Sequence, residues 1–272
     1  MILVNGVPGD AIAATDRGLA YGDGVFRTCV MRGGQPLHWR RHYARLHGDC
    51  AALGISCPDE TVLRAELVQA AGCTPESECI AKITVTRGPG QRGYALPSPA
   101  NPTRIVAISA LPHYPPDFAG RGIKVHLCQL RLGFQPALAG IKHLNRLENV
   151  LARAEWSDAA IAEGLLLDSE DNVIEGTMSN LFIVERGALA TPDLTRCGVA
   201  GVTRERVMES AARRGIACEA THIQYKRLLE AEEVLLVNSL IGVWQVRELD
   251  GRTWAQGGFA ARMRQWLDEE GD

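Results

Sequence analysis

The chain has 272 residues, 46% of them hydrophobic and 22% charged, with a formal net charge of −3. That is enough apolar sequence for one large core or two smaller ones, and without a basic run the chain carries no nucleic-acid or membrane-surface signature. No apolar stretch approaches the roughly 20 residues of a bilayer span, MILVNGVPGD lacks the features of a signal peptide, and eight scattered cysteines with no C-x-x-C pair fit reduced thiols in a cytoplasmic protein.

In chain order, residues 2–4 and 25–31 are β-rich apolar runs closed by the turn dipeptides Asn5-Gly6 and Gly33-Gly34. Residues 37–53 predict a helix, with Leu46, Cys50 and Leu53 at i, i+4 and i+7 and Gly54 as its stop. Pro58-Asp59-Glu60 opens a second helix that ends at Gly72. Strands are expected over 79–86 and 104–110, and the turn-rich GPGQRGYALPSPANP between them reads as an exposed loop. LPHYPPD (111–117), with three prolines in seven residues, reads as a stiff linker.

After it the pattern restarts. A strand is expected over 123–130, then a helix with Leu147, Val150, Leu151 and Ala154 on one face, then buried-type strands over 165–167 and 181–184. The turns DSEDN (168–172) and ERG (185–187) make this region read as an antiparallel meander. Helices follow over 203–214, stopping at Gly215, and over 259–267, with a strand over 233–237 between them. Mixed, largely antiparallel sheets with helices outside predict an α+β fold. The partition is a small N-terminal α/β domain (1–112), a linker (113–119) and a larger C-terminal domain (120–272). GLAYGDG (18–24) lacks the G-x-G-x-x-G spacing of a dinucleotide fold.

Basic charge is carried by 25 arginines and only four lysines, so Lys142 stands out where IKHLNRLENVLARAEW (141–156) passes from strand to helix. Arginine stays protonated, whereas a desolvated lysine can become a nucleophile or a base. By itself a lysine at such a junction is more often a solvated first-turn residue. Glu175, in NVIEGTMSNLF, follows two apolar residues and needs a partner. That partner is either a cation in a structural salt bridge or the proton on a buried heteroaromatic nitrogen. CGVAGVTRERV puts Gly201 and Thr203 at a helix start, which suits a phosphate as well as an ordinary Thr N-cap. VLLVNSLIGV ends a strand at Asn238-Ser239, with one more hydroxyl. A lysine, a buried carboxylate and a phosphate cup are together the set that pyridoxal 5′-phosphate requires.

Six ordered strings carry a resemblance over nearly the whole chain: DRGLAYGDGVF (16–26), RHYARL (41–46), IKHLNRLENVLA (141–152), GLLLDSEDNVIEGTMSNLF (164–182), GVTRERV (201–207) and VNSLIGVWQV (237–246). They resemble the class IV, or fold type IV, pyridoxal-phosphate enzymes: branched-chain and D-amino-acid aminotransferases and aminodeoxychorismate lyases. The resemblance implies that Lys142 is the Schiff-base lysine and catalytic base and that Glu175 partners the ring nitrogen. It implies that Arg45, Val202, Thr203 and Ser239 hold the phosphate, with Ser179 and Asn180 near the cofactor. Without the family, Arg45 reads as an exposed helix residue. The implied fold is D-amino-acid aminotransferase-like, with a mostly antiparallel, barrel-like sheet in the larger domain and the cofactor between the domains. The implied assembly is a homodimer whose partner subunit contributes to each site.

Within the family, KHLNRLE and TRGPGQRGYAL (86–96) are similar to the aminodeoxychorismate lyases. Arg27 stands directly after GDGVF, where the aminotransferases commonly carry an acid. Arg146 stands four residues after Lys142, where they commonly carry tyrosine or an apolar residue. The implied substrate, 4-amino-4-deoxychorismate, has two carboxylates, and Arg27, Arg92 and Arg146 are their candidate partners. Surface salt bridging is the alternative for each arginine. The implied products are 4-aminobenzoate, for folate, and pyruvate. Asn238-Ser239-Leu240 departs from the Asn-Ala-Leu common in lyases, so an aminotransferase on branched-chain or D-amino acids stays open as the alternative. A non-catalytic homologue would not need lysine, glutamate and phosphate cup together.

Overall fold

A computed structural model describes residues 1–74 and 76–271. The chain divides into two units, one formed by Met1–His113 with Ile141–Asn145, the other by Tyr114–Gly140 with Arg146–Gly271. The segment carrying Lys142 therefore groups with the N-terminal residues, although the linear partition puts it with the C-terminal ones.

The first unit comprises β1 (Ile2–Val4), β2 (Val7–Pro8), α1 (Arg17–Tyr21), β3 (Gly24–Arg32), β4 (Gln35–Pro36), α2 (Trp39–Ala52), α3 (Glu60–Ala71), β5 (Glu78–Thr86) and β6 (Thr103–Ser109). Its sheet runs β2-β1-β6-β5-β3-β4 and every ladder is antiparallel. Asn5 and Gly6 both have positive φ, the requirement of a tight hairpin turn. Along β3, Val25, Cys29 and Met31 alternate into the core and meet Leu46 and Cys50 of α2 and Leu63 and Leu67 of α3. The helix α2 begins two residues later than the hydrophobic period suggests, because His38 takes a left-handed conformation. Asp59 caps α3 by accepting the Thr61 N–H. The glycine-rich 18–24 stretch contains a helical turn that hydropathy missed. Asp16 caps it through the Gly18 N–H, and the Thr86 and Thr103 hydroxyls bond the other oxygen of Asp16.

The second unit comprises α4 (Asp117–Arg121), β7 (Ile123–Leu132), α5 (Leu147–Arg153), β8 (Ile161–Asp168), β9 (Val173–Gly176), β10 (Asn180–Glu185), β11 (Ala188–Pro192), α6 (Val202–Arg213), β12 (Cys218–Thr221), α7 (Tyr225–Glu230), β13 (Glu233–Asn238), β14 (Gly242–Leu249), β15 (Arg252–Thr253) and α8 (Phe259–Glu269). Its sheet runs β12-β11-β10-β13-β14-β7-β8-β9, with β15 on β14, and curls into a half-barrel. The central strands are buried on both faces. Leu181 and Ile183 enter one apolar cluster, while Phe182 and Val184 enter the other, under α6 and α8. This explains the unbroken apolar runs LFIV and VLLV.

Three expectations are corrected here. The region is not a simple meander: β8–β9 and β10–β11 are antiparallel, but β7–β8, β7–β14 and β11–β12 are parallel. Parallel neighbours need long crossovers, and α5 and α6 lie in two of them. The proline-rich linker is partly docked, since Tyr114 and Phe118 pack edge-on against Trp244 with ring centroids at 4.8 and 5.3 Å. On α5 the buried residue is Ala152, whereas Leu147, Val150 and Leu151 are exposed. Among the described residues no helix is long and apolar enough to cross a membrane.

Candidate active site

Lys142 is anchored within the first unit at three points. Its N–H donates to Asp49 Oδ2 at 3.2 Å, and its C=O accepts the Phe26 N–H at 2.9 Å. Its Nζ lies 4.7 Å from the centroid of the Phe26 ring. His143 continues the attachment through a bridge to Val25, and the Leu144 N–H donates to Gly24 C=O. Lys142 is thus laid along the edge of β3 at its N-terminal end rather than set on the first turn of α5. Gly24 allows this close approach: a Cβ there would stand 2.8 Å from a methyl of Leu144. Arg45 is half-buried on α2, one turn before Asp49, and its charge acts on that carboxylate.

In the second unit, Glu175 is 3% exposed on β9 and its Oε2 accepts the Val199 N–H at 2.8 Å. The loop through Val199 is pinned twice more. Asn180 Nδ2 donates to Val199 C=O at 2.7 Å, and Asn180 Oδ1 accepts the Gly201 N–H at 3.0 Å. Gly201 opens α6 with no side-chain cap, so the Val202 and Thr203 N–H groups precede the first intrahelical bond, from the Glu205 N–H to Gly201 C=O. The Thr203 hydroxyl lies 3.4 Å from that of Ser239. The two main-chain donors at the α6 N-terminus and the two hydroxyls form an anion cup, and Glu175 is bonded to the loop leading into it. This donor set fits a phosphate next to a protonated ring nitrogen. Gly140 touches the same loop, its N–H donating to Gly198 C=O and its C=O accepting the Ala200 N–H; Lys142 is two residues along the chain.

The remaining expected residues fall out unevenly. Asn180 spends both ends of its amide on the loop, so it builds the cup. The Ser179 hydroxyl goes to Glu163 at 2.8 Å. Arg146 is half-buried at the start of α5; burial pulls its guanidinium below the ordinary value, against the opposing charges of Glu175 and Glu148. Arg92 is exposed on the 88–102 loop. Arg27 is 3% exposed, in the core row of β3, with Nη2 at 2.5 Å from Asp49 Oδ2. A guanidinium committed to an internal carboxylate is poorly placed to receive a substrate one. Asp49 and Glu163 escaped the sequence reading. The signal for Asp49 was its place four residues after Arg45, on the same helix face. For Glu163 it was a carboxylate inside the apolar strand IAEGLLLD.

Residues 24–249 match the profile of the family described as amino-transferase class IV, and the chain belongs to that family. It is an enzyme of the fold type IV class. The chain is 38% identical to an aminodeoxychorismate lyase from Vibrio harveyi over 244 residues, 89% of each chain. It is 46% identical to the crystal structure of 4-amino-4-deoxychorismate lyase from Pseudomonas aeruginosa, with a TM-score of 0.94 and 99% of each chain covered. It is 25% identical to a D-alanine aminotransferase from Bacillus licheniformis, covering 91% of this chain and 86% of the relative.

Proposed function

We propose that the protein is a pyridoxal-phosphate-dependent lyase that converts 4-amino-4-deoxychorismate to 4-aminobenzoate and pyruvate. The observation that carries this reading is the 46% identity over 99% of both chains with a solved lyase of that name, set against 30% with a "Putative branched-chain-amino-acid aminotransferase" from Methanocaldococcus jannaschii and 25% with a D-alanine aminotransferase. Lys142 would bind the cofactor covalently, Glu175 would keep its ring nitrogen protonated, and Val202, Thr203, Ser239 and Arg45 would take its phosphate. When bound, pyridoxal phosphate supplies an electron-withdrawing heterocycle next to the amine-bearing carbon of the substrate.

The chain's own residues do the rest. The Lys142 amine would take the proton from the amine-bearing carbon of the substrate. The electron pair left there would expel the neighbouring enolpyruvyl oxygen, and the protonated amine would supply the proton that converts the leaving group to pyruvate. The Glu175 carboxylate holds the proton that lets the ring accept charge. Arg146 and Arg92 are the proposed partners of the substrate carboxylates, while Arg27 is paired with Asp49. The enzyme works as a homodimer in the cytoplasm.

The test is pyruvate release from aminodeoxychorismate with no keto-acid acceptor. Release should proceed at the wild-type rate without 2-oxoglutarate, and Lys142→Ala should lose both the visible absorbance and turnover. An active, coloured Lys142→Ala protein would overturn the assignment. Strict dependence on a keto-acid acceptor would instead establish the aminotransferase reading that Asn238-Ser239-Leu240 keeps open.

A further inference from the structure

One charge stands in an apolar row. Val25, Cys29 and Met31 point from β3 into the core of the first unit, and Arg27 shares their row, as buried as they are. Its partner Asp49 lies on the buried face of α2 with Leu46 and Cys50. A single oxygen, Asp49 Oδ2, accepts both the Arg27 Nη2–H at 2.5 Å and the Lys142 N–H at 3.2 Å. The Lys142 C=O is held by the N–H of Phe26, the residue before Arg27. β3 therefore reaches Lys142 twice, directly at its carbonyl and through Arg27 and Asp49 at its amide.

A buried ion pair is a poor way to fill a core for stability alone, because well-packed apolar residues of similar volume are commonly as stable or more so. What an apolar pair lacks is an acceptor for the Lys142 N–H. Asp49 alone would supply one, but only as a buried carboxylate with no facing cation in the row of β3. Arg27 makes that carboxylate tolerable and fixes which of its oxygens faces Lys142.

We propose that Arg27 and Asp49 are positioning residues, a buried ion pair that clamps the Lys142 main chain so that its amine keeps one bearing over Phe26. The inference rests on Lys142 being the lysine that carries the cofactor. Without the clamp the Lys142 N–H loses its carboxylate acceptor, and the amine samples directions from which neither covalent attachment nor proton transfer is efficient. A misplacement of about 1 Å can cost on the order of 100-fold in rate.

The experiment replaces the pair by an apolar one, Arg27→Met with Asp49→Leu, and compares it with wild type and Lys142→Ala. The double variant should melt within about 5 °C of wild type, since the core stays filled. Its kcat should fall about 10- to 100-fold with KM within about threefold. The pH titration of the cofactor–lysine absorbance should shift, and exchange of the 141–145 amides should accelerate in the cofactor-free protein. Normal kcat, absorbance titration and amide exchange in a folded double variant would overturn the clamp. Where that variant does not fold, the wild-type protein decides: the Lys142 amide should exchange as slowly as those of β3, and exchange at the rate of an exposed amide sinks the proposal. The two readings separate cleanly. Retained absorbance and activity in Lys142→Ala would end the cofactor assignment, whereas their loss there with an unchanged double variant would end only the clamp.

Discussion

Glu163 on β8 is 1% exposed and accepts from the Gly164, Thr177 and Met178 N–H groups and from the Thr177 and Ser179 hydroxyls. It ties down the turn that leads from Glu175 to Asn180. Burial nevertheless pushes its carboxyl above the ordinary value, these donors opposing the shift. A raised carboxyl means that the fold favours the protonated form. Its stabilising contribution is complete below the unfolded value near 4.5 and is lost as pH rises through the folded one. Glu163→Gln sets an amide N–H against a main-chain N–H and should cost about 1–3 kcal/mol. That deficit should narrow as pH rises above about 4.5, because only the wild type then bears a buried charge; urea unfolding between pH 4 and 8 checks this. Gly201 is constrained differently. A Cβ there would stand 2.3 Å from Asn180 Oδ1, so Gly201→Ala must displace the amide that pins the cup. The lost hydrogen bond is worth about 1 kcal/mol, and the Kd for pyridoxal phosphate should rise about fivefold or more, measured by fluorescence titration of the cofactor-free protein.

At the scale of elements, Arg17 straps down the 88–96 loop and shares Asp23 with Arg87. Arg17 and Arg87 each donate Nε–H to Asp23 Oδ2 at 2.8 Å. Arg17 then bonds the carbonyls of Gly93, Tyr94 and Ala95, while Arg87 bonds those of Leu53 and Gly54. Tyr21 adds its hydroxyl as acceptor for the Gly93 N–H. Asp23 is the hub. Burial works to raise its carboxyl, but the hydrogen bonds and charges of Arg87 and Arg17 together hold it below 3.8. A depressed carboxyl contributes stability above its unfolded value and loses it as pH falls through the folded one. Asp23→Asn should therefore melt below wild type near neutral pH, and the gap should close below about pH 3.8. Amides of residues 93–95 should also exchange faster in the variant. GPGQRGYALPSPANP was readable as a loop from its turn residues. The strap was not, because hydropathy says nothing about which carbonyls an arginine 70 or more residues away will find.

For the whole molecule, the face of α5 matters most. Leu147, Val150 and Leu151 are 74%, 61% and 59% exposed, an unusual outward placement for three large apolar residues on two helical turns. The proposed homodimer accounts for them if this face is covered by a second copy. Light scattering should give two chains per particle, and Leu147→Glu with Leu151→Glu should shift the population towards single chains. An unchanged mass would place the dimer contact elsewhere.

Read by itself, the sequence determined the class of fold and placed the proposed cofactor-binding set in short ordered strings. Lys142, Glu175, Gly201 and Thr203 lie in strings whose residue types suit the cofactor proposed for them. Strand and helix periods of 2 and 3.6 are local properties of the chain. Other decisions needed the tertiary structure. Arg27 became an internal partner because Asp49, 22 residues on, faces the same core. Lys142 joined β3 because Phe26 and Asp49 take both ends of its peptide. The parallel pairing of β7 with β14 and the outward face of α5 likewise came only from assembly. The physical reason is common to all of them. Whether a charge binds a substrate or an internal counter-ion, and whether an apolar face is core or surface, depends on burial and on partners distant along the chain, which no local pattern records.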